Sequence, residues 1–281
     1  MKTWKLMASG VAVGAIVLLH AIFSGDTLPL KPKSEKVLRV VSANIDFRND
    51  QPAALLNRLG ELDADVLVLL EWVPRTVAEN SIPGMKTVLA QVGRKHGIAI
   101  NLSEPLGNQT QSRIFYTQIQ ENQQCRLPMG FCRVEIAGKH LVILGVHIPP
   151  PHLPECKKFT DSTLAELAGL VQAGKLSQNF HTALAGEPVI ILGDLNAHSF
   201  NPNIQEFEKI GLVNAIGRFA RGWNPTWPAR LPFFPALHWV PFLPLFRIDH
   251  ILVSNSLKIQ HAWRFRIPGS DHWGVACDIL L

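Results

Sequence analysis

Residues Val189–Pro202 read VIILGDLNAHSFNP. The stretch opens as a dry, β-branched run and closes on Gly193, Asp194 and Asn196. An unbroken apolar run of this length is how a strand buried on both faces reads. When such a strand carries a carboxylate and an amide to its own end, they serve either a turn or a reaction.

The same question arises at other strand ends. RVVSANIDF emerges at Asn44, ADVLVLLEW runs into Glu71, and LVILGVHIPPP ends on His147 before three prolines. RIDHILVS opens on Asp249, and GSDHWGVACDI sets Asp271 and His272 ahead of the last strand. Taken singly, each is a cap or turn residue. Burying a carboxylate without a partner costs several kcal/mol, so acids at the mouths of dry strands need a cation or a donor. If these strands are neighbours, their ends make one acidic pocket, and an oxygen-rich pocket selects a hard ion such as Mg2+ or Mn2+.

Between these ends, apolar runs alternate with helical or loop stretches. The expected strands are Val37–Ile45, Val66–Leu70, Gly97–Leu102, Ser112–Gln118, Cys132–Ile136, His140–His147, Val189–Gly193, Ile248–Val253 and Val275–Leu281. The expected helices are Pro52–Leu62, with Leu55, Leu56, Leu59 and Leu62 on the 3.6-residue period, then Asp161–Ala173 and Ile204–Ile210. More strands than helices, interleaved, implies an α/β sandwich with mixed sheets rather than a purely parallel series. No internal boundary interrupts residues 37–281, which read as one catalytic domain.

At 281 residues and 47% hydrophobic, the chain can bury one sizeable core. A net charge of +5 is modest, and part of it sits in the leading segment at Lys2, Lys5, Lys31, Lys33 and Lys36. Basicity alone therefore argues weakly for nucleic acid. That leading segment, MKTWKLMASGVAVGAIVLLHAIFSG, has an apolar run from Leu6 to Phe23 behind a short basic start. About eighteen residues of helix come close to crossing a bilayer core, and no A-x-A site follows. Residues 1–25 therefore read as an uncleaved anchor in preference to a cleaved signal, with 26–36 as linker and the body outside the cytoplasm or secreted. Four cysteines fit an oxidising compartment. A bridge between Cys125 and Cys132 across RLPMGF is one reading, with Cys277 a small buried hydrophobe.

The ordered set Asn44, Glu71, His147, Gly193–Asn196, Asp249 and Ser270–His272 resembles the endonuclease/exonuclease/phosphatase superfamily, from Val37 to Leu281. The resemblance implies a DNase I-like fold: a four-layer α/β sandwich with two packed mixed β-sheets. It implies Glu71 as the principal metal ligand, with Asn44 beside it and Asp271 nearby. It implies that Asp194 activates the attacking water and that Asn196 and His147 bind the non-bridging phosphate oxygens. His272, oriented by Asp249, would stabilise the charged transition state. His147 stands where abasic-site enzymes place a tyrosine, and Glu104 stands where a family strand often carries arginine. His250 reads as a packing residue, and His96, His152, His198 and His238 as loop histidines, with His198 nearest the cleft.

NPTWPARLPFFPALHWVPFLPLFRIDH, Asn224–His250, is crowded with proline and large apolar residues and leads straight into Asp249. It is either a stiff loop packed on its own domain or an apolar rim that meets lipid. Membrane-anchored bacterial members of the family carry a similar series at His147–Pro150, Asp194–Asn196, Thr226–Pro228, Arg247–Leu252 and Ser270–His272. Some of that branch are linked to the dephosphorylation of polyprenyl diphosphate carriers. The expected activity is hydrolysis of a lipid-linked or small phosphoester by a monomer, with nucleic acid a less favoured substrate. Arg75, Arg113 and Arg221 are too scattered for the stripe a nuclease cleft needs. A third reading, a binding module without catalysis, leaves the acids at the strand ends unexplained.

Overall fold

Val66–Leu70 shows how the strands are used: Val66, Val68 and Leu70 belong to one core layer and Leu67 and Leu69 to another, and all are buried. The pleat alternates side chains, so a strand covered on both faces needs apolar residues at every position. A computed structural model describes residues 33, 36–73, 82–107, 110–117, 127–152, 156–174, 186–220, 222–230 and 244–281. The apolar leading segment, Cys125, Arg75, Arg221 and residues 231–243 of the proline-rich stretch lie outside them.

One six-stranded sheet runs in the order β11 (Lys258–Arg266), β12 (Trp273–Leu280), β1 (Val37–Asn44), β2 (Val66–Leu70), β4 (Ile98–Ser103), β3 (Met85–Gln91). The other runs β5 (Thr110–Phe115), β6 (Met129–Ile136), β7 (Lys139–His147), β8 (Val189–Asp194), β10 (Asp249–Ser254), β9 (Leu212–Asn214). Each sheet has a single parallel pair at its centre, β1 with β2 and β7 with β8, flanked by antiparallel strands. The sheets are therefore mixed, as the interleaved pattern implies.

Face to face, the sheets close the central core, with Val66, Val68, Ile98 and Ile100 from one meeting Ile143, Ile190, Leu192 and Ile251 from the other. Their spacing is set by small residues. A Cβ on Gly145 would stand 2.8 Å from Val68 Cγ1, and one on Gly130 2.8 Å from Ile100 Cδ1. Helices cover the outer faces. α1 (Pro52–Gly60) lays Leu55 and Leu59 on Val41, Ala43, Leu67 and Leu69. α2 (Lys157–Gln172) and α3 (Pro202–Lys209) bring Leu164, Leu167, Ile204 and Phe207 to Val142, Leu144 and Ile191. Helix, sheet, sheet and helix make four layers. Proline opens α1 and α3, and the Asn201 side chain accepts from Asn203 N–H at 2.8 Å to cap α3.

Three strands and one short helix lacked a sequence signal. β3 and β11 are edge strands carrying lysine, glutamine, histidine and arginine among their apolar residues, so neither alternates cleanly. β9 spans only Leu212–Asn214 and leads into α4 (Ala215–Phe219), whose end is capped by Asn214. The Cys125–Cys132 bridge does not form. Cys132 is a free thiol buried in the central core, and Cys156 is disulfide-bonded to a partner outside the described residues. The inward-facing position of Cys132 in β6 makes it core. Cys277 is likewise free and buried. Among the described residues no helix is long and apolar enough to cross a membrane.

Candidate active site

Topology delivers the polar residues to one edge. In a parallel pair both strands end on the same side, so Asn44 of β1 comes level with Leu70 of β2, with Glu71 next in line. His147 of β7 faces Asp194 of β8 for the same reason. β10 and β12 run antiparallel to these, so it is their beginnings that reach this edge: Asp249 pairs with Asp194, and His272 precedes Trp273. One sheet contributes Asn44, Glu71, Asp271 and His272, and the other His147, Asp194, Asn196 and Asp249. The site straddles the seam between them.

Two contacts cross that seam. Asn44 Nδ2 donates to Asp194 Oδ2 at 3.2 Å, and His272 Nδ1 lies 2.9 Å from Asp249 Oδ2. Asp194 Oδ2 also stands 3.7 Å from both His147 Nε2 and His272 Nε2. These gaps are too long for hydrogen bonds and suit one bridging oxygen, from water or phosphate. Asp194, Asp249, His147 and His272 are all buried.

Backbone and neighbouring hydroxyls hold these groups. Asn196 N–H donates to Asp194 Oδ1 at 2.9 Å, and Asn196 Nδ2 donates to Ile148 O at 2.9 Å. One amide proton of Asn196 is thus engaged, leaving the other for substrate. Thr226 Oγ1 accepts from the N–H groups of Ile248 and Asp249, both at 3.2 Å. Ser270 Oγ donates to Asn44 O at 2.7 Å and accepts from His272 N–H at 3.0 Å. Glu71 and Asn196 both take left-handed backbone conformations, with φ of 58° and 46°. Asn tolerates that region, whereas Glu there is strained, a cost that surrounding structure must hold in place.

Electrostatics separates the residues into roles. Burial pushes the Glu71 carboxyl up to about 8, with the charges on Asp271 and Asp46 adding to it and the Phe47 N–H opposing. Burial likewise raises Asp194 to about 7, against the pull of His272. Burial raises the Asp271 carboxyl as well, against the attraction of His272. For His272, burial opposes the charge, but Asp249, Asp194 and Asp271 together outweigh it and hold the imidazole well above its usual range. Burial, reinforced by His96 and His272, drives His147 far below, so it is neutral. One imidazole is a cation and the other a neutral donor or acceptor.

Glu71 accepts from Phe47 N–H at 3.0 Å and, weakly, from Asn44 Nδ2 at 3.4 Å, and among the described residues no ion pair joins it to a lysine or arginine. Arg48 is occupied, bound to Asp46 at 2.9 Å and reaching Asp271 at 3.4 Å. The mouth of the site therefore carries more carboxylate than cation. A divalent ion fits such an excess of carboxylate. Asn44 lies beside Glu71, where its strand end was expected to bring it. Its amide oxygen accepts from Asp46 N–H at 3.2 Å and its nitrogen faces both carboxylates, so it spaces them apart.

One histidine differs from its sequence reading. His96 is no remote loop residue: its ring stands 5.7 Å from that of His147, edge-on. Glu71, His96 and His147 each offer one ligand atom, all within 4.8 Å of one another, and Asp194, Asp249 and His272 form a second such group. His198 packs against Phe200, their ring centroids 6.2 Å apart. His250 packs, as expected, buried between Ala197 O at 2.9 Å and Asn214 at 3.1 Å. Thr226 and Ser270 belong to the sequence motifs around Trp227 and Asp271, but their roles as backbone braces are visible only in three dimensions.

Two stacked mixed sheets with this edge are a phosphoesterase fold of the DNase I-like kind. The chain belongs to the Endonuclease/Exonuclease/phosphatase family, whose profile matches residues 41–272. A search of curated proteins returned no significant match. Among solved structures, TDP2 of D. rerio complexed with a single-strand DNA product superposes with a TM-score of 0.64 at 16% identity, over 88% of this chain and 100% of that one. A mannosyl-6-phosphatase of Bacteroides thetaiotaomicron gives 0.62 at 17%, over 87% and 100%. An endonuclease/exonuclease/phosphatase family protein of the same bacterium gives 0.62 at 17%, over 89% and 99%. At such identities the likeness is one of fold.

Proposed function

We propose that this protein is a divalent-metal-dependent phosphoester hydrolase in which water attacks phosphorus directly. The observation that carries the reading is the position of Asp194 Oδ2, 3.7 Å from two buried imidazoles of opposite character. Mg2+ or Mn2+ at Glu71 and Asp271 supplies charge stabilisation to the phosphate when bound. Asp194 accepts the proton of the attacking water. The neutral His147, through Nε2–H, and the free amide proton of Asn196 donate to non-bridging oxygens. His272, held charged by Asp249, faces the charge that develops as the ester bond breaks. None of the site's groups is placed as a covalent nucleophile.

The substrate we favour is a lipid-linked or small phosphoester at a membrane surface. Phe200, Trp223, Leu245 and Phe246 are all exposed, and they form a connected rim. Phe200 lies 6.0 Å from Trp223, Trp223 Nε1 donates to Leu245 O at 3.3 Å, and Phe246 lies 6.3 Å from Trp227, whose side chain hydrogen-bonds Asp271. Trp and Phe are suited to the interface between headgroups and hydrocarbon. The Leu6–Phe23 segment as an anchor, with the domain outside the cytoplasm as a monomer, completes the reading, and the disulfide at Cys156 supports an oxidising compartment.

A nuclease is the second reading, favoured by the DNA product in the TDP2 complex. Full-length protein with Mg2+ is assayed against a polyprenyl diphosphate in vesicles, a choline phospholipid, a soluble phosphodiester and plasmid DNA, each with an EDTA control. Cleavage of DNA alone overturns the lipid reading. No EDTA-sensitive turnover of any of the four overturns the hydrolase.

A further inference from the structure

We propose that Glu71, His96 and His147 form a second cation site, which shares the Glu71 carboxylate with the oxygen pocket at Glu71 and Asp271 but differs from it in ligand chemistry and suits Zn2+ or a similar borderline metal. Buried polar atoms in folded proteins nearly always have partners, so those without one need a reason. His147 Nδ1 and His96 Nδ1 are both buried and without a hydrogen-bond partner, and they sit on neighbouring rings. His147 is only 3% exposed. One ligand atom from each of Glu71, His96 and His147 falls within 4.8 Å of the others, so a single ion drawing the three together satisfies both orphan nitrogens.

The framework places the three ligands from separate elements. Glu71 follows β2, and Trp72 N–H donates to Gly97 O at 3.1 Å, which fixes the chain at His96 beside Glu71. His147 ends β7 on the opposing sheet. A pocket of about 460 Å3, lined by Gly93, Arg94, Lys95, His96 and Tyr116, gives solvent access from the His96 side. Lys95 leaves the ligands free, its Nζ lying over the Phe47 ring at 5.6 Å.

Two imidazoles and one carboxylate suit Zn2+ or Co2+, whereas Mg2+ takes oxygen ligands and keeps its waters. A consequence for the reaction centre follows from tautomers. Coordination through His147 Nδ1 leaves the proton on Nε2, the nitrogen that faces Asp194 at 3.7 Å. The ion would thereby fix His147 as the hydrogen-bond donor that a phosphate oxygen needs. The site shares Glu71 and His147 with the hydrolase reading, but its occupancy is tested separately, because metal binding is measured without an ester.

The test is titration of the full-length protein, stripped of metal, with Zn2+ by calorimetry and with Co2+ by visible absorption, each in the presence of saturating Mg2+. The expected result is one tight site with a ligand-field band, absent from His96→Gln and His96→Ala. Removing a direct ligand should weaken binding by more than the ~10–100-fold that follows loss of an outer partner. Thermal unfolding with and without Zn2+ guards against misfolding: wild type gains stability on adding the metal, and a folded His96→Gln does not. Equal affinity and an equal band in wild type and His96→Gln overturn the site, as does the absence of a Mg2+-resistant site in wild type. Loss of hydrolysis on every substrate with the Zn2+ site intact would refute the enzyme and leave this inference standing.

Discussion

Asp249→Asn isolates what the His272–Asp249 pair contributes. The substitution keeps shape and an oxygen for His272 Nδ1–H to donate to, and it leaves the Thr226 bond to the backbone N–H of residue 249 in place. What disappears is a full negative charge 2.9 Å from the imidazole. That charge is the foremost influence opposing burial, so without it the balance at His272 shifts toward the neutral form. A charge-assisted hydrogen bond contributes about 1.5–3 kcal/mol, or about 10- to 150-fold in rate if the charge matters only in the transition state. A reduced protonated fraction at neutral pH adds a further factor of roughly 10, so kcat should fall on the order of 10²- to 10³-fold with KM little changed. The assay is the pH profile of kcat on the preferred substrate in saturating Mg2+. The limb on the alkaline side, where His272 loses its proton, should move to lower pH in the variant. A kcat within threefold of wild type, or an unmoved alkaline limb, refutes the role assigned to His272.

Asp194→Asn should lower kcat by at least ~10³-fold while the melting temperature holds or rises, since burial already disfavours the charged carboxylate; a melting temperature that collapses would make Asp194 structural. Acid stability should be governed in part by His250, which burial lowers from 6.5 to about 4. Its unfolded form takes up a proton first, so stability is full above about 6.5 and declines toward pH 4, by up to about 3 kcal/mol. Denaturant midpoints in wild type and a His250→Gln variant should diverge over that window, and parallel curves would count against it. Trp223→Ala and Phe200→Ala should each reduce turnover of a vesicle-borne ester and leave a soluble phosphodiester unaffected, whereas equal losses on both would place these residues in the reaction itself. Chelation by EDTA should abolish hydrolysis and lower the melting temperature, because Glu71 then faces Asp271 and Asp46 without a countercharge.

The buried strands were legible because covering both faces of a strand demands an unbroken apolar run, as in β2 and β8. Strand-end polarity then marked Asn44, Glu71, His147, Asp194, Asp249 and His272, all of which the fold gathers at one edge. Edge strands such as β11 gave no such sign, since exposed Lys258, Gln260 and Arg266 interrupt its buried residues and break any clean alternation. His96 was invisible as a site residue for another reason: nothing local distinguishes RKHG from a surface loop, and only the bond between Trp72 and Gly97 carries it to Glu71. The cysteine pairing failed on similar grounds, as proximity in sequence favoured Cys132 while the inward face of β6 claimed it. Asn44 was placed correctly, yet which end of its amide points at Glu71 depends on Asp46 and lies beyond any motif.

Gly145 lies in β7, two residues before His147, with its missing side chain turned toward Val68 of the opposing sheet, and it is a spacer. Asp194 sits on one sheet and His272 on the other, so the distance between them depends on the sheet separation that this missing side chain permits. A methyl group there would wedge β7 away from Val68 and stretch the 3.7 Å span between Asp194 and His272 without touching either. Catalytic geometry in this architecture is tuned from the oily interior.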